Sequence, residues 1–159
     1  MPCKKKGTDK LRWAVDYHAV NRLTQKDTFP LPSIETNLHK LSEASIFSSL
    51  DSTGAFHSLS IHPASRDYTT FTTPFRTYRY KCMAFGLSIS PSMYCRLVQQ
   101  ALSRLLPNFA IAYLDDILIY SNNIKDHLIH LKMVLKVPAE CGMKLNLAKC
   151  SIAQTKVNY

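Results

Sequence analysis

Glycine is scarce in this chain, four residues of 159, tryptophan occurs once, and acidic side chains are outnumbered, 11 Asp+Glu against 20 Lys+Arg. So little glycine excludes a collagen-like or flexible-linker protein. The five cysteines, Cys3, Cys82, Cys95, Cys141 and Cys150, are odd in number, widely spaced and without a C-x-x-C pair. That pattern excludes a disulfide framework and a zinc module, and sets the expectation of reduced thiols in a cytosolic or nuclear compartment. No apolar run reaches the roughly 18 residues of a membrane span, and Met1-Pro2-Cys3-Lys4-Lys5-Lys6 has no apolar signal core, so neither a membrane anchor nor secretion is expected. What is present, 46% hydrophobic and 19% charged residues, is the composition of one ordinary globular domain. At this length folding removes roughly 70% of the unfolded chain's surface from water, enough for a core without staples.

The formal net charge of +9 favours a polyanionic partner, with nucleic acid first among the candidates. Lys4, Lys5, Lys6, Lys10 and Arg12 crowd one end, as a phosphate-binding entry segment would.

Leu11 to Tyr17 alternates as a strand does, and Phe29-Pro30-Leu31-Pro32 forces an extended link. Ser33 is placed to cap a helix carrying Ile34, Leu38 and Leu41 on one side, and Ile46 to Leu50 forms the next strand, ending at Asp51. Tyr68 to Thr73 and Tyr78 to Cys82 are rich in Thr, Tyr and Phe and flank a hairpin loop at Pro74 to Thr77. A helix is predicted from Pro91 to about Leu106. Phe109 to Leu114 and Ile117 to Tyr120 then form a tight hairpin with Asp115-Asp116 at its tip. The last helix, from about Ile124 to Gly142, aligns Ile124, Leu128, Leu131 and Leu135 as its apolar face, and Pro138 is expected to kink it or end it early. Strand material follows from Lys144. The fold class is α+β, an antiparallel sheet with helices packed on one face.

Asp115 and Asp116 are the residues that folding explains least, because adjacent acids between apolar strands hold like charges together at a half-buried edge. An isolated Asp-Asp is also a good turn sequence. Asp51 tips the balance: it ends another core strand, which an antiparallel sheet can bring beside the hairpin. Three converging oxygen donors suit Mg²⁺ holding substrate phosphates. Two such ions about 3.5 to 4 Å apart would activate an attacking 3′-oxygen and stabilise a leaving pyrophosphate. In a basic protein this describes phosphoryl transfer on nucleic acid.

Tyr113-Leu114-Asp115-Asp116 resembles the Y-x-D-D box of reverse transcriptases, and the whole chain resembles the pol polyprotein of gypsy-type LTR retrotransposons. The motifs follow family order: Arg12 to Asn21 resembles R-x-x-V-D-Y-R-x-L-N, Phe29-Pro30-Leu31-Pro32 resembles Y/F-P-L-P, and Phe47 to Asp51 resembles F-S-x-L-D with the aromatic Phe56 five residues on. Thr70 to Phe75 resembles T-F-x-T-P-F, Met83 to Leu87 with Pro91 resembles M-P-F-G-L-x-x-x-P, and Lys144 to Cys150 resembles K-L-N-x-x-K-C.

The resemblance implies a right-hand polymerase. Residues 1–30 and 59–89 would be fingers-like and 31–58 and 90–159 palm-like, within a single truncated reverse transcriptase domain that lacks the thumb. It implies an RNA-directed DNA polymerase transferring nucleotides from dNTPs to a primer 3′-hydroxyl on an RNA or DNA template, beside ribonuclease H and integrase in the polyprotein. It makes Asp51, Asp115 and Asp116 the catalytic, metal-binding carboxylates, with two Mg²⁺ ions for which Mn²⁺ can substitute. Lys5 and Arg12 would clasp the incoming nucleotide's phosphates, and backbone amides of Thr53, Gly54, Ala55 and Phe56 would receive the triphosphate. Phe56 would stack under the sugar and exclude a ribose 2′-hydroxyl. Phe85 and Gly86 would lie beside nucleotide and template, and Tyr113 and Leu114 near the primer end.

Three positions depart from the family pattern: His18 stands where it has Arg, Ala84 where it has Pro, and Arg76 where a turn Gly is common. Pro138 interrupts a helix that the family normally continues. A retroelement remnant that binds nucleic acid without polymerising is the alternative; an unrelated nucleotide cyclase or RNA-binding sandwich would leave Lys4 to Asn21 without a role. His39, His57, His62, His127 and His130 show no metal-ligand spacing.

Overall fold

The computed structural model describes residues 2–4, 11–13, 15–27, 29, 39, 41–106 and 108–156, with the backbone alone for 2–4 and 11–13. In chain order the elements are β1 (Pro2–Lys4), β2 (Leu11–Trp13), α1 (His18–Leu23), β3 (Ile46–Asp51), 3-10 turns at Ala55–Ser58 and Pro63–Thr69, β4 (Phe71–Thr72), β5 (Thr77–Tyr78), α2 (Ser90–Ala101), β6 (Ala110–Tyr113), β7 (Asp116–Ser121), α3 (Ile124–Cys141) and β8 (Ser151–Gln154). By internal contacts the chain divides into two compact units, Met1–Asp27 with Phe56–Pro91, and Thr28–Ala55 with Ser92–Tyr159. The expected cap at Ser33 and most of its helix lie outside the described residues; His39, Leu41 and Ser42 are helical.

The second unit is built on a four-stranded antiparallel sheet ordered β6-β7-β3-β8. The Ile-Leu-Ile-Tyr run that makes β7 a strand also makes it central, and Ile117 to Ser121 are all buried. Cross-strand partners share a face. One face therefore carries Ser48, Leu50, Ile117, Ile119, Ala110 and Ala112, and the opposite face carries Phe47, Asp51, Ile111, Leu118, Tyr120 and Asp116. α2 lies against the first face, where Cys95 and Val98 border Ala112, and so does α3, where His127 bonds Ser48. The opposite face buries Phe47, Ile111, Leu118 and Tyr120 with Leu41.

α3 differs from its sequence pattern. Ile124, Leu128 and Leu135 are exposed, while His127, Val134 and Pro138 are buried. What selects that face is a polar network: fully buried His127 meets Ser48 Oγ at 2.7 Å and Ser121 Oγ at 2.9 Å, and Ser121 Oγ also meets His130 Nδ1 at 2.8 Å. His130 stacks flat on Phe109. Hydrogen-bonded polarity outweighs a hydrophobic stripe because buried Ser48 and Ser121 need partners. Pro138 does not end the helix either. It sits inside the last turns, where its carbonyl accepts from Met143 N–H at 2.9 Å, and the helix runs to Cys141 before Gly142 turns left-handed at φ 68°. At the other end Asn123 Oδ1 caps Asp126 N–H at 3.0 Å.

In the first unit, Tyr17, Ile61, Met83, Ala84 and Leu87 form the core. The strand predicted over Leu11 to Tyr17 stops at Trp13. Tyr17 instead precedes α1, and its hydroxyl donates to Thr69 carbonyl at 3.3 Å. The strand predicted from Tyr68 begins only at Phe71, because Pro63 opens a 3-10 segment running through Thr69. Phe71 and Thr72 then pair with Tyr78 and Thr77. Arg76 serves in that turn without glycine: Thr73 Oγ1 accepts from Arg76 N–H at 3.1 Å and closes it. α2 ends at Ala101 and continues to Leu106 as looser turns, short of its predicted helical length. Among the described residues Cys82, Cys95, Cys141 and Cys150 are free thiols, and no helix is long and apolar enough to cross a membrane.

Candidate active site

Asp51 is the last residue of β3 and Asp116 the first of β7, and the register makes them direct cross-strand partners. They lie on the sheet face away from α2 and α3. Asp115 belongs to the turn joining β6 to β7. The turn is one residue earlier than expected: Tyr113 pairs with Asp116, so its two residues are Leu114 and Asp115. Leu114 takes φ 53°, a conformation that costs an L-residue energy and that a two-residue hairpin imposes at its first position. The Asp115 carbonyl accepts from Ser52 N–H at 3.2 Å and ties the turn to the chain after Asp51.

The neighbouring acids bear on the ionisation of Asp116. Burial pushes the Asp116 carboxyl above its ordinary range, the negative charges of Asp115 and Asp51 push it further, and Lys149 opposes them. The Lys149 ammonium lies 2.7 Å from Asp51 Oδ2 and is held protonated above the usual lysine range, by that hydrogen bond first and then by the charge of Asp51. The Asp51 side chain is 16% exposed and that of Lys149 57%.

The donor set is right for a hard cation, since Asp51, Asp115 and Asp116 offer only carboxylate oxygens and carry more negative charge than one lysine balances. Their arrangement is not closed: among the described residues no three His, Cys, Asp or Glu side chains are grouped to hold an ion. Lys149 stands on the Asp51 oxygen where a cation would bind.

The other expected residues fall in separate places. In the second unit, Gly54 turns the chain at φ 61°. Thr53 N–H is engaged by Lys144 carbonyl at 2.7 Å, so that amide is committed to the fold and not presented to a triphosphate. Tyr113 is half-buried beside Asp116, and Leu114 is exposed. In the first unit, Phe56 and Phe85 meet with ring centroids 5.0 Å apart. Gly86 has φ 97°, and a Cβ there would sit 3.4 Å from Tyr17 Cδ2 and from Val15 O. Asn21 clamps that loop, its Nδ2 donating to Gly86 carbonyl at 2.8 Å and its Oδ1 accepting from Ser88 N–H at 2.9 Å. Arg12 lies in β2 opposite Cys3, described in backbone only, and Lys5 lies outside the described residues. A cavity of about 570 Å³ also lies in this unit, lined by Val20, Leu23, Ile61, Met83 and Leu87 among others, and among the described residues no acid borders it.

Sequence reasoning assigned no role to Lys149, Tyr94 or Asn21. Lys149 and Asn21 stood inside quoted motifs, which was the available signal. Tyr94, within the helix predicted from Pro91, is fully buried, and its hydroxyl donates to Ser52 Oγ at 2.7 Å. Burial and the charges of Asp115 and Asp116 raise its pKa, while the hydrogen bond to Ser52 opposes them.

The fold is that of the reverse transcriptases. The foamy viral protease-reverse transcriptase in complex with RNA/DNA hybrid superimposes with a TM-score of 0.87 over 99% of this chain and 21% of its own, at 24% identity. Residues 3–159 match the family described as reverse transcriptase (RNA-dependent DNA polymerase), and the chain belongs to that family. The retrovirus-related Pol polyprotein from transposon 297 of Drosophila melanogaster is 32% identical over 153 residues, covering 96% of this chain and 14% of that polyprotein. The transposon Tf2-7 polyprotein of Schizosaccharomyces pombe is 31% identical over 156 residues, covering 98% of this chain and 12% of the polyprotein.

Proposed function

We propose that this chain forms part of an RNA-directed DNA polymerase and carries its nucleotidyl-transfer site, with Asp51, Asp115 and Asp116 as the reactive carboxylates. The observation that carries this reading is the β3–β7 register, which sets Asp51 opposite Asp116 with Asp115 in the adjoining turn. The unit holding the acids serves as palm and the other as fingers. Substrates are dNTPs and a primer on an RNA or DNA template. That partner class is supported by the net charge of +9 and by the RNA/DNA hybrid bound in the foamy viral relative.

Two Mg²⁺ ions held by these carboxylates, or Mn²⁺ in their place, would supply activation of the primer 3′-oxygen and neutralise charge on the departing pyrophosphate. The protein's own part is to fix the donors. The paired strands hold Asp51 and Asp116 on one face, and the strained Leu114 turn holds Asp115 beside them. Tyr94 and Ser52 brace the chain beyond Asp51 from below. In the other unit Phe56, packed against Phe85 with ring centroids 5.0 Å apart, is the aromatic that would lie under the deoxyribose, its bulk occupying the place of a 2′-hydroxyl. The loop of Gly86 is clamped by Asn21, and the missing side chain lets it pack against Tyr17 and Val15.

The test is Mg²⁺-dependent dNTP incorporation on a primed RNA template by the chain and by Asp115→Asn. Incorporation lost in the variant is the expected result. A chain that binds primed template, incorporates nothing and gains no activity when a family thumb is appended is instead the nucleic-acid-binding remnant.

A further inference from the structure

We propose that Lys149 is the resident counter-ion of the carboxylate site, a positioning residue whose ammonium must leave Asp51 before a divalent cation can bind there. The inference rests on the reading of Asp51, Asp115 and Asp116 as cation-binding residues.

Backbone geometry, not chance side-chain reach, puts Lys149 in place. The chain after α3 returns along the residues following Asp51: Thr53 N–H donates to Lys144 carbonyl at 2.7 Å, Ser52 bridges Leu145, and Asn146 N–H donates to Asp51 carbonyl at 2.8 Å. A turn follows, with Lys149 N–H at 2.9 Å and Cys150 N–H at 3.1 Å from Asn146 carbonyl. It brings Lys149 back to the same aspartate, Nζ to Oδ2 at 2.7 Å. One residue, Asp51, thus anchors the segment through its backbone and receives the ammonium through its side chain.

The pair is asymmetric in a way that suits exchange. Lys149 is 57% exposed and reaches in on a flexible stem, so it can withdraw into water without unpacking anything, whereas Asp51 is 16% exposed and stays. A mostly buried carboxylate left unpaired is unfavourable, so what replaces the ammonium is another cation and not bulk water. A divalent ion brings twice the charge to a site where the charges of Asp51 and Asp115 still bear on Asp116. Metal entry is therefore an exchange of one cation for another, and Lys149 weakens the site's apparent affinity for metal while keeping the metal-free site from carrying three uncompensated charges.

The experiment measures Mn²⁺ binding, from the electron paramagnetic resonance signal of the free ion, for the chain, Lys149→Gln, Asp51→Asn, Asp116→Asn and the Lys149→Gln/Asp51→Asn double variant. Lys149→Gln is expected to bind Mn²⁺ roughly two- to fivefold more tightly, and the gain is expected to vanish in the Asp51→Asn background. An unchanged or weaker affinity in Lys149→Gln, with Asp51→Asn still weakening binding, overturns this inference and leaves the carboxylate reading intact. A gain that persists undiminished in the double variant also overturns it, since the effect then does not pass through Asp51. Binding indifferent to Asp51→Asn and to Asp116→Asn overturns the underlying reading. A second readout needs no variant fold: in the ¹⁵N-lysine-labelled chain the Lys149 Nζ resonance should move with the midpoint of a Mg²⁺ titration, and a resonance unmoved at saturation overturns the exchange.

Discussion

Asp51 and Asp116 face each other directly across the β3–β7 ladder, two carboxylates in a position where strands ordinarily set apolar or oppositely charged partners. Lys149 balances only part of the pairing, which still opposes folding in the absence of a divalent cation. Asp116→Asn removes half of it, so the metal-free chain should gain roughly 0.2–1 kcal/mol of stability while Mg²⁺-dependent incorporation falls. Urea unfolding in chelator checks the first part, and a variant less stable than the parent refutes it.

Buried His127 holds α3 to the sheet through Ser48 and Ser121. Replacing it with Ala strands both hydroxyls and opens a cavity, at a cost of about 2–4 kcal/mol. Its pKa lies below the ordinary 6.5 because burial disfavours the charged ring and His130 adds a second opposing influence. The unfolded chain therefore takes up the proton first. Its contribution to stability is fully present above about pH 6.5 and is lost as pH falls toward the lower folded-state value. Unfolding midpoints followed from pH 8 to pH 5 should show this decline, and it should flatten in His127→Gln.

Leu114 sits at φ 53° between Tyr113 and Asp115. A β-branched residue tolerates that conformation worse than leucine, so Leu114→Val should destabilise the chain by about 1–2 kcal/mol. Leu114→Gly, which removes strain but adds unfolded-state freedom, should change stability little. Equal losses in the two variants would show that side-chain packing, not backbone conformation, matters here.

Gly86 carries φ 97° and has Tyr17 and Val15 at contact distance from any added Cβ. Gly86→Ala should cost about 1–3 kcal/mol. Asn21→Ala, which removes the clamp on the same loop, should cost about 1–2 kcal/mol. Because the two act on one loop, the double variant should lose less than the sum.

The parts of the fold carried by local pattern were legible in the sequence. Ile46 to Asp51 and Ile117 to Tyr120 are strands because β-branched and apolar runs leave them little alternative, and the acids stand out because nothing apolar explains them. What escaped depends on partners distant in the chain. The face α3 buries is chosen by Ser48, invisible from the helix's own periodicity. The Pro63 turn shortens β4, and the commitment of Thr53 N–H depends on Lys144. Lys149 stood inside the K-L-N-x-x-K-C resemblance without a role, since the role of its ammonium comes from a carboxylate 98 positions away.

That separation bears on how the protein comes into being. β3 lies between β7 and β8, and the strand that ends in Asp51 also receives the returning 144–150 segment. A nascent chain that has made β3 owns one acid, and one that has completed the β6–β7 hairpin owns three. Only a chain synthesised past Lys149 can balance them. The Asp51 site is thus complete only once the 144–150 segment has been made, and a chain cut before Lys149 keeps the three acids without their ammonium.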